Sequence, residues 1–141
     1  MVMSLLGAGV PRATRVLVIE DDEDIRSSLC SVLSGEGYSV SSSRNGREAL
    51  AQLRSEPRPD VILLDLMMPV MNGTEFRAAQ LQDPELASIP VVVLTADLCG
   101  RELAGTPRVA AVFRKPFDVG ELLDTIDSVA GGLSGDALAL A

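Results

Sequence analysis

The amino-acid sequence predicts an α/β fold, a doubly wound parallel sheet of five strands with helices on both faces. One observation is that short apolar runs rich in valine, isoleucine and leucine recur along the chain, as in strands that are covered on both faces. A second is that segments with a helical spacing of apolar residues lie between these runs. Strands that alternate with helices in this way are typical of parallel sheets joined by right-handed crossovers.

In the first half of the chain, two strands and two helices follow from apolar periodicity and from stop signals. They are, in order, a buried strand over 15–19, a helix ended by Gly35 and Gly37, a polar edge strand over 38–43 and a helix ended by Pro57. The core face of the first helix is predicted to carry Ile25, Leu29, Val32 and Leu33. Asp22, Glu23 and Asp24 are assigned to its amino-terminal cap and to solvent, since acids favour that end of a helix. The second helix is predicted to start with a capping box at 45–48.

In the second half, proline and glycine again mark where the elements end. The predicted elements are a buried strand over 61–65, a helix between a capping box at 72–75 and Pro84, a buried strand over 89–95, a strand over 109–113, and a helix between a capping box at 118–121 and Gly131. The helix after 72–75 is predicted to carry Phe76, Ala79 and Leu81 on its core face. Between 96 and 108 we expect a short or irregular fourth helix, because Gly100, Gly105 and Pro107 disfavour helix.

Length and composition limit the possible classes of function. The chain has 141 residues, a net charge of −8 and a pI near 4.4, which predicts one domain without a nucleic-acid-binding surface. It contains no histidine, which excludes a Ser-His-Asp triad and histidine metal ligation. Cys30 and Cys99 are isolated, and no apolar run is long enough to span a membrane. We therefore expect a cytoplasmic domain over 15–130, with a flexible arm at 1–14 and a tail at 131–141.

Four of the five predicted strands end in polar side chains, and these ends share one edge of a parallel sheet. The residues are Glu20, Asp21, Asp65, Thr95 and Lys115. Each alone has a structural explanation as a cap, a turn or a solvated side chain, but their joint placement favours a site. Close carboxylates repel one another unless a cation lies among them, and Mg²⁺ prefers oxygen ligands. The sequence thus predicts Mg²⁺ held by Glu20, Asp21 and Asp65, with a carboxylate able to form an aspartyl-phosphate.

Four segments together resemble the response-regulator receiver domain of two-component signalling, from about Arg15 to Ala130. They are VLVIEDD at 16–22, ILLDLMMPVMNG at 62–73, VVLTA at 92–96 and FRKPF at 113–117. The resemblance implies a flavodoxin-like (βα)5 fold with strand order 2-1-3-4-5. It also implies the following roles: Asp65 as the phospho-acceptor, Glu20 and Asp21 as the acidic metal pair, the backbone carbonyl of Met67 as a further metal ligand, Thr95 as the switch hydroxyl and Lys115 as the phosphate-contacting lysine.

The resemblance further implies the partners of such a domain. A histidine kinase or phosphotransfer protein would present a phosphohistidine, and Asp65 would accept its phosphoryl group with Mg²⁺. The signal would pass to a downstream protein target, with no nucleic acid and no membrane involved. The chain would not be an enzyme in the usual sense, because it would catalyse only its own phosphotransfer and dephosphorylation.

Two features depart from the family pattern and leave alternatives open. Val112 stands three residues before Lys115, where the family often has tyrosine or phenylalanine. Phe113 is one place along, so we expect it to point to the other face of the sheet and pack in the core. Together with the weak helix expected between 96 and 108, this leaves open a receiver-like interaction module that works without phosphorylation. A receiver cut from a longer regulator is also open, whereas an aspartyl phosphatase is disfavoured because Met67 stands where such sites commonly want a second aspartate.

Overall fold

The structure is a computed structural model, and it describes residues 13–55, 57–66, 68, 70–96 and 108–131. This part of the chain contains five strands and four helices. They are β1 (Arg15–Ile19), α1 (Glu23–Gly35), β2 (Ser39–Ser43), α2 (Gly46–Ser55), β3 (Val61–Asp65), α3 (Gly73–Gln82), β4 (Val91–Thr95), β5 (Val109–Arg114) and α4 (Val119–Ala130). The five strands pair in parallel in the order β2-β1-β3-β4-β5. The predicted fold class and strand order are therefore confirmed.

The strands divide the core into two layers, because successive side chains of a strand point to opposite faces of the sheet. One layer packs against α2 and α3 and includes Ile19, Leu64, Val93 and Phe76. The other packs against α1 and α4 and includes Val18, Leu63, Leu94, Leu33 and Ile126. β3 and β4 are buried at every position, as expected for central strands of a sheet that helices cover on both faces.

The caps place the helix starts close to where the sequence predicted them. Asp22 caps α1 by accepting a hydrogen bond from the Ile25 N–H, as its assignment to the helix cap implied. The predicted box at 72–75 is complete in α3. The predicted box at 45–48 is half formed: Asn45 accepts from the Glu48 N–H, but the Glu48 carboxylate accepts from the backbone N–H of Arg44. Arg44 also offers its guanidinium to that carboxylate, which explains why Glu48 turns away from Asn45.

Several predicted boundaries and faces are corrected by the structure. β4 begins at Val91 and not at residue 89, because Pro90 has no N–H to donate to the ladder. Val32 and Leu81 were expected in the core, but they are 37% and 39% exposed. In α3 the buried polar residues are Arg77 and Gln80, whose side chains hydrogen-bond to each other.

Three expectations lie wholly or mostly outside the described residues. They concern the helix between 96 and 108, the arm at 1–14 and the tail at 131–141. Within the described ranges, no helix has the length and apolar character needed to cross a membrane.

Candidate functional site

Asp65 is the last residue of the central strand β3 and is almost fully buried. The start of α3 lies against this end of β3, since the Gly73 N–H donates to the Leu66 carbonyl at 3.1 Å. A Cβ on Gly73 would lie 2.8 Å from the Asp65 carbonyl oxygen and 2.7 Å from Leu66 Cα. The absence of a side chain at Gly73 therefore lets the start of α3 pack tightly against the end of β3.

Glu20 and Asp21 follow the end of β1, which pairs with β3. Glu20 is buried, and its N–H donates to the Ser43 carbonyl of β2 at 3.1 Å. The Asp22 N–H lies 3.3 Å from Glu20 Oε2, so the turn itself orients this carboxylate. Asp21 is exposed and lies at the mouth of the site. One carboxylate oxygen from each of Glu20, Asp21 and Asp65 lies within 4.8 Å of the other two.

Lys115 follows β5 and reaches two of these acids. Its Nζ lies 2.7 Å from Glu20 Oε1 and 3.6 Å from Asp65 Oδ1. Burial lowers the pKa of Lys115, but the hydrogen bond to Glu20 and the charge of Asp65 oppose burial and raise the pKa above its usual value. Lys115 therefore carries a positive charge into the cluster of carboxylates.

Thr95 is the buried last residue of β4. Asp65 pairs with Leu94 in the sheet, so Thr95 lies one position beyond the neighbour of Asp65. The Lys115 N–H donates to the Thr95 carbonyl at 2.7 Å, which joins the ends of β4 and β5. The structure thus brings Glu20, Asp21, Asp65, Thr95 and Lys115 to one edge of the sheet. Met67, the remaining predicted ligand, lies outside the described residues.

The donor set of this edge fits a hard divalent cation. Glu20, Asp21 and Asp65 offer carboxylate oxygens close enough to share one ion. Mg²⁺ takes oxygen ligands and usually keeps several waters, so a few carboxylates at one mouth suit it better than a closed cage. The exposure of Asp21 leaves room for those waters.

One contact at the site was not anticipated from the sequence. Arg26 Nη1 donates to the backbone carbonyl of Glu20 at 2.9 Å and lies 3.4 Å from that of Asp21. The sequence feature that could have indicated this contact is the position of Arg26 in the first turns of α1, because the positive end of the helix dipole disfavours a cation there. A cation at such a place is explained when another element supplies its acceptors.

The side chains of Val112 and Phe113 point to opposite faces of β5, as predicted. Val112 packs against the layer that includes Phe76, and Phe113 packs against the layer that includes Leu94. The Phe113 ring also contacts Phe117 edge to face, with 6.1 Å between the ring centroids. Phe113 is therefore partly buried and packs against the core on the face opposite to Val112.

An apolar groove of about 550 Å³ opens beside Lys115, between α1 and the residues before and at the start of α4. It is lined by Ile25, Leu29, Val32, Phe117 and Val119, among others. Val32 and Val119 are large apolar residues that the fold leaves exposed. Exposed apolar surface of this kind is typical of places where proteins contact partners.

Comparison with known proteins adds an independent finding. The family model described as the response regulator receiver domain matches residues 16–127. The chain is 42% identical over 111 residues to the response regulator MprA of Mycolicibacterium vanbaalenii. The aligned region covers 77% of this chain and 47% of that protein. The chain thus spans about half the length of the MprA proteins that it matches.

Solved structures agree in both fold and length. The chemotaxis response regulator CheY4 of Vibrio cholerae matches with a TM-score of 0.75 and 32% identity, over 84% of this chain and 99% of that one. The response regulator TrrA of Thermotoga maritima, solved in complex with Mg²⁺ and BeF, matches with a TM-score of 0.72 and 28% identity, over 82% and 98%. The order of its strands, the acidic side chains at one sheet edge and these similarities lead to the same conclusion: the chain belongs to the response regulator receiver domain family.

Proposed function

We propose that the chain is a phosphorylation-dependent signalling switch in which Asp65 accepts a phosphoryl group from a partner phosphohistidine. The observation that carries the proposal is the cluster of Glu20, Asp21 and Asp65 with the Lys115 ammonium reaching into it. Phosphoryl transfer depends on positioning and on neutralised oxygens more than on acid–base groups. A chain without histidine is therefore well able to support it.

In the proposed transfer, a carboxylate oxygen of Asp65 attacks the phosphorus atom of the donor. The new O–P bond forms as the N–P bond of the phosphohistidine breaks, and the bonding pair returns to the imidazole nitrogen. The products are an aspartyl-phosphate on this chain and a free histidine on the partner. Water then hydrolyses the acyl phosphate, so the chain returns to its starting state.

Glu20, Asp21 and Asp65 would hold Mg²⁺, joined by the backbone carbonyl of Met67. When bound, the ion would neutralise charge on the phosphoryl oxygens. The complex of TrrA with Mg²⁺ and BeF supports this assignment by similarity. Lys115 is the protein's own cation at the site and would contact a phosphoryl oxygen, since its Nζ lies 3.6 Å from Asp65 Oδ1.

The Thr95 hydroxyl would be the switch group, since Thr95 lies next to the sheet neighbour of Asp65. New charge on Asp65 would draw this hydroxyl inward and shift the populations of two surface states. With Val112 in place of an aromatic ring, the shift would not be reported by ring rotation at that position. Output would reach a downstream protein target, and the chain's net charge of −8 disfavours nucleic acid as that target.

The groove beside Lys115 supports a protein as the phosphodonor. Its apolar lining adjoins the Lys115 side chain, so a helix of a histidine kinase or phosphotransfer protein would cover it while presenting phosphohistidine to Asp65. A small phosphodonor such as acetyl phosphate would use the same carboxylate without needing the groove.

Intact mass after incubation with acetyl phosphate and Mg²⁺ tests the proposal. We expect the wild type to gain one phosphoryl group, Asp65→Asn to gain none, and a wild-type sample with chelator to gain none. Asp60→Asn is the matched control, because Asp60 immediately precedes the other end of β3, where its carboxylate accepts from the Arg15 N–H. Labelling of the Asp65→Asn variant at the wild-type level would overturn the assignment of the acceptor.

A second candidate function is supported by one observation. The side chain at position 112 is a partly buried valine that packs against the core, so an aromatic relay from the site to the surface is missing at that place. This favours an interaction module that works without phosphorylation. Absence of labelling by acetyl phosphate and by a phosphohistidine donor, together with absence of Mg²⁺ binding, would favour that candidate over the first.

A further inference from the structure

The two acids that follow β1 lie beyond the part of the chain that the sheet holds. The parallel ladder between β1 and β3 ends with Ile19, and Glu20 continues the contact to β2 through its N–H. The backbone carbonyls of Glu20 and Asp21 point instead toward α1, where Arg26 Nη1 lies 2.9 Å and 3.4 Å from them. The half-buried Arg26 thus ties this turn to the helix that follows it.

We propose that Arg26 is a positioning residue for the divalent cation, acting by holding the backbone from which the Glu20 and Asp21 carboxylates project. The inference rests on the proposed function, because it assigns a role toward the cation of that site. It goes beyond the proposed function because Arg26 contributes no ligand atom and contacts no carboxylate of the cluster in these hydrogen bonds.

Three features of the contact support a positioning role. The guanidinium is planar and presents its donors in a fixed arrangement, so it can serve two adjacent carbonyls with little loss of freedom. The bonds go to backbone atoms, so the carboxylates stay available for the cation. Charged donors also make stronger hydrogen bonds than neutral ones, which suits a residue that must order a turn.

The charge of Arg26 has a second effect, which acts against cation binding. A guanidinium beside a turn that carries Glu20 and Asp21 offsets part of the repulsion between these acids and Asp65 when no cation is bound, and so stabilises the cation-free state. We expect the ordering of the turn to outweigh this effect, because the Arg26 hydrogen bonds go to backbone carbonyls and not to the carboxylates. The location of Arg26 near the amino terminus of α1 is unfavourable for a cation within the helix. The carbonyl acceptors and the neighbouring acids together give a physical reason for an arginine there.

Mg²⁺ titration of wild type, Arg26→Gln, Arg26→Lys and Arg47→Gln tests the inference. Arg47→Gln is the matched control, because Arg47 is an exposed arginine in the first turn of α2. We expect the Mg²⁺ dissociation constant of Arg26→Gln to rise about tenfold or more, as for other residues that orient metal ligands. Arg26→Lys should lie between, because an ammonium can still donate to the carbonyls but lacks the planar arrangement of donors, and Arg47→Gln should bind like the wild type.

A second readout separates positioning from direct action on the phosphodonor. The rate of labelling by acetyl phosphate is measured as a function of Mg²⁺ concentration. We expect Arg26→Gln to need more Mg²⁺ for half the maximal rate but to reach the wild-type rate at saturating Mg²⁺. Thermal unfolding in chelator, with Arg26→Lys as the milder variant, checks that the fold is retained.

The outcomes are distinguishable. If Arg26→Gln binds Mg²⁺ as tightly as the wild type, the positioning role is wrong and the proposed function stands. If its affinity is unchanged but its saturating rate falls, Arg26 acts on the donor and the inference is again wrong. If the wild type itself binds no Mg²⁺ and takes no phosphoryl group, it is the proposed function that fails.

Discussion

Lys115 Nζ lies 2.7 Å from Glu20 Oε1, closer than its 3.6 Å to Asp65 Oδ1. The ammonium therefore pairs with an acid of the proposed metal pair as well as with the proposed phospho-acceptor. A cation that uses the same Glu20 oxygen must compete with Lys115, and the two positive charges also repel each other.

The first prediction concerns this competition. Lys115→Met keeps most of the aliphatic stem and removes the charge, so Mg²⁺ should bind about tenfold more tightly, a gain of about 1.4 kcal/mol. Labelling by acetyl phosphate at saturating Mg²⁺ should nevertheless be slower, because a phosphoryl oxygen loses its ammonium partner. Calorimetric titration and intact mass measure the two effects, with Arg114→Met, an exposed neighbour, as the control for net charge. Weaker Mg²⁺ binding in Lys115→Met would contradict the competition.

A second prediction concerns Gly73, which packs against the end of β3. Gly73→Ala places a Cβ 2.8 Å from the Asp65 carbonyl oxygen and 2.7 Å from Leu66 Cα, and backbone atoms yield little. We expect the free energy of unfolding to fall by about 2 kcal/mol and labelling of Asp65 to slow. Gly35→Ala is the control, because a Cβ there would have no neighbour within 4 Å apart from the adjacent residues and the backbone of its own helix. Its stability should be unchanged or higher by at most about 1 kcal/mol, and equal losses in urea unfolding for both variants would refute the steric argument.

The buried polar pair in α3 supports a third prediction. Gln80 Nε2 donates to the carbonyls of Leu86 and Ile89 at 2.9 and 3.0 Å, and Arg77 Nη1 donates to Gln80 Oε1 at 2.7 Å. Gln80→Ala leaves buried groups without these partners, so the free energy of unfolding should fall by about 3 kcal/mol. Leu81→Ala, at the exposed neighbouring position, should cost less than about 1 kcal/mol in the same urea experiment. A larger loss for Leu81→Ala would show that the hydrogen bonds are unimportant.

The fourth prediction is a pH dependence that reports on Tyr38, the one tyrosine of the chain. Burial, the hydrogen bond that its hydroxyl donates to Asp127 and nearby carboxylates raise the pKa of Tyr38 above its ordinary value of 10.0. A raised pKa in the folded state means that the contribution to stability is complete below pH 10.0 and is lost as the pH rises through the folded pKa.

Phenolate absorbance measures this titration without interference, because the chain has no tryptophan and no other tyrosine. We expect the midpoint in native protein to lie above 10.0 and to fall toward that value in Asp127→Asn. Tyr38→Phe should lose less stability than the wild type between neutral pH and pH values above 10.0. A native midpoint at the ordinary value would contradict the hydrogen bond.

A fifth prediction concerns Val70, whose φ is 69° in the loop after β3. A β-branched side chain in this left-handed region is strained by about 1–2 kcal/mol, and the side chain is 66% exposed, so little packing offsets the strain. Val70→Gly should raise the free energy of unfolding by about 0.5–1 kcal/mol after allowing for the entropy that glycine loses on folding. Val70→Ala retains a Cβ and should gain less; equal stabilities for the two variants would argue against strain at this residue.

The fold class, and the polar residues that meet at one sheet edge, could be predicted from the amino-acid sequence. Apolar runs with prolines and glycines between them place five strands, and the parallel arrangement follows because each strand is separated from the next by a helix or a long connection. The carboxyl ends of parallel strands share one edge of the sheet, so Glu20, Asp65 and Lys115 come together at that edge whatever the details of side-chain packing.

Which polar groups form contacts, and which apolar side chains are buried, depends on how the elements pack in three dimensions. Periodicity predicted Val32 and Leu81 in the core, yet both are exposed, while Gln80 is buried because two backbone carbonyls accept its hydrogen bonds. Hydrophobic patterns report an average over a helix face, and they do not register hydrogen bonds that make burial of a polar group acceptable.

The same limit applies to the site. The sequence indicated the acids at the sheet edge, but the pairing of Lys115 with Glu20 and the contact of Arg26 with two carbonyls arise only when strands and helix are packed. Such contacts depend on distances of a few ångströms. The spacing of these residues along the chain does not predict these distances, because the conformations of the loops between them determine how the side chains approach one another. The polar residues at the strand ends could therefore be predicted from the sequence, whereas the contacts that position their side chains are visible only in the folded molecule.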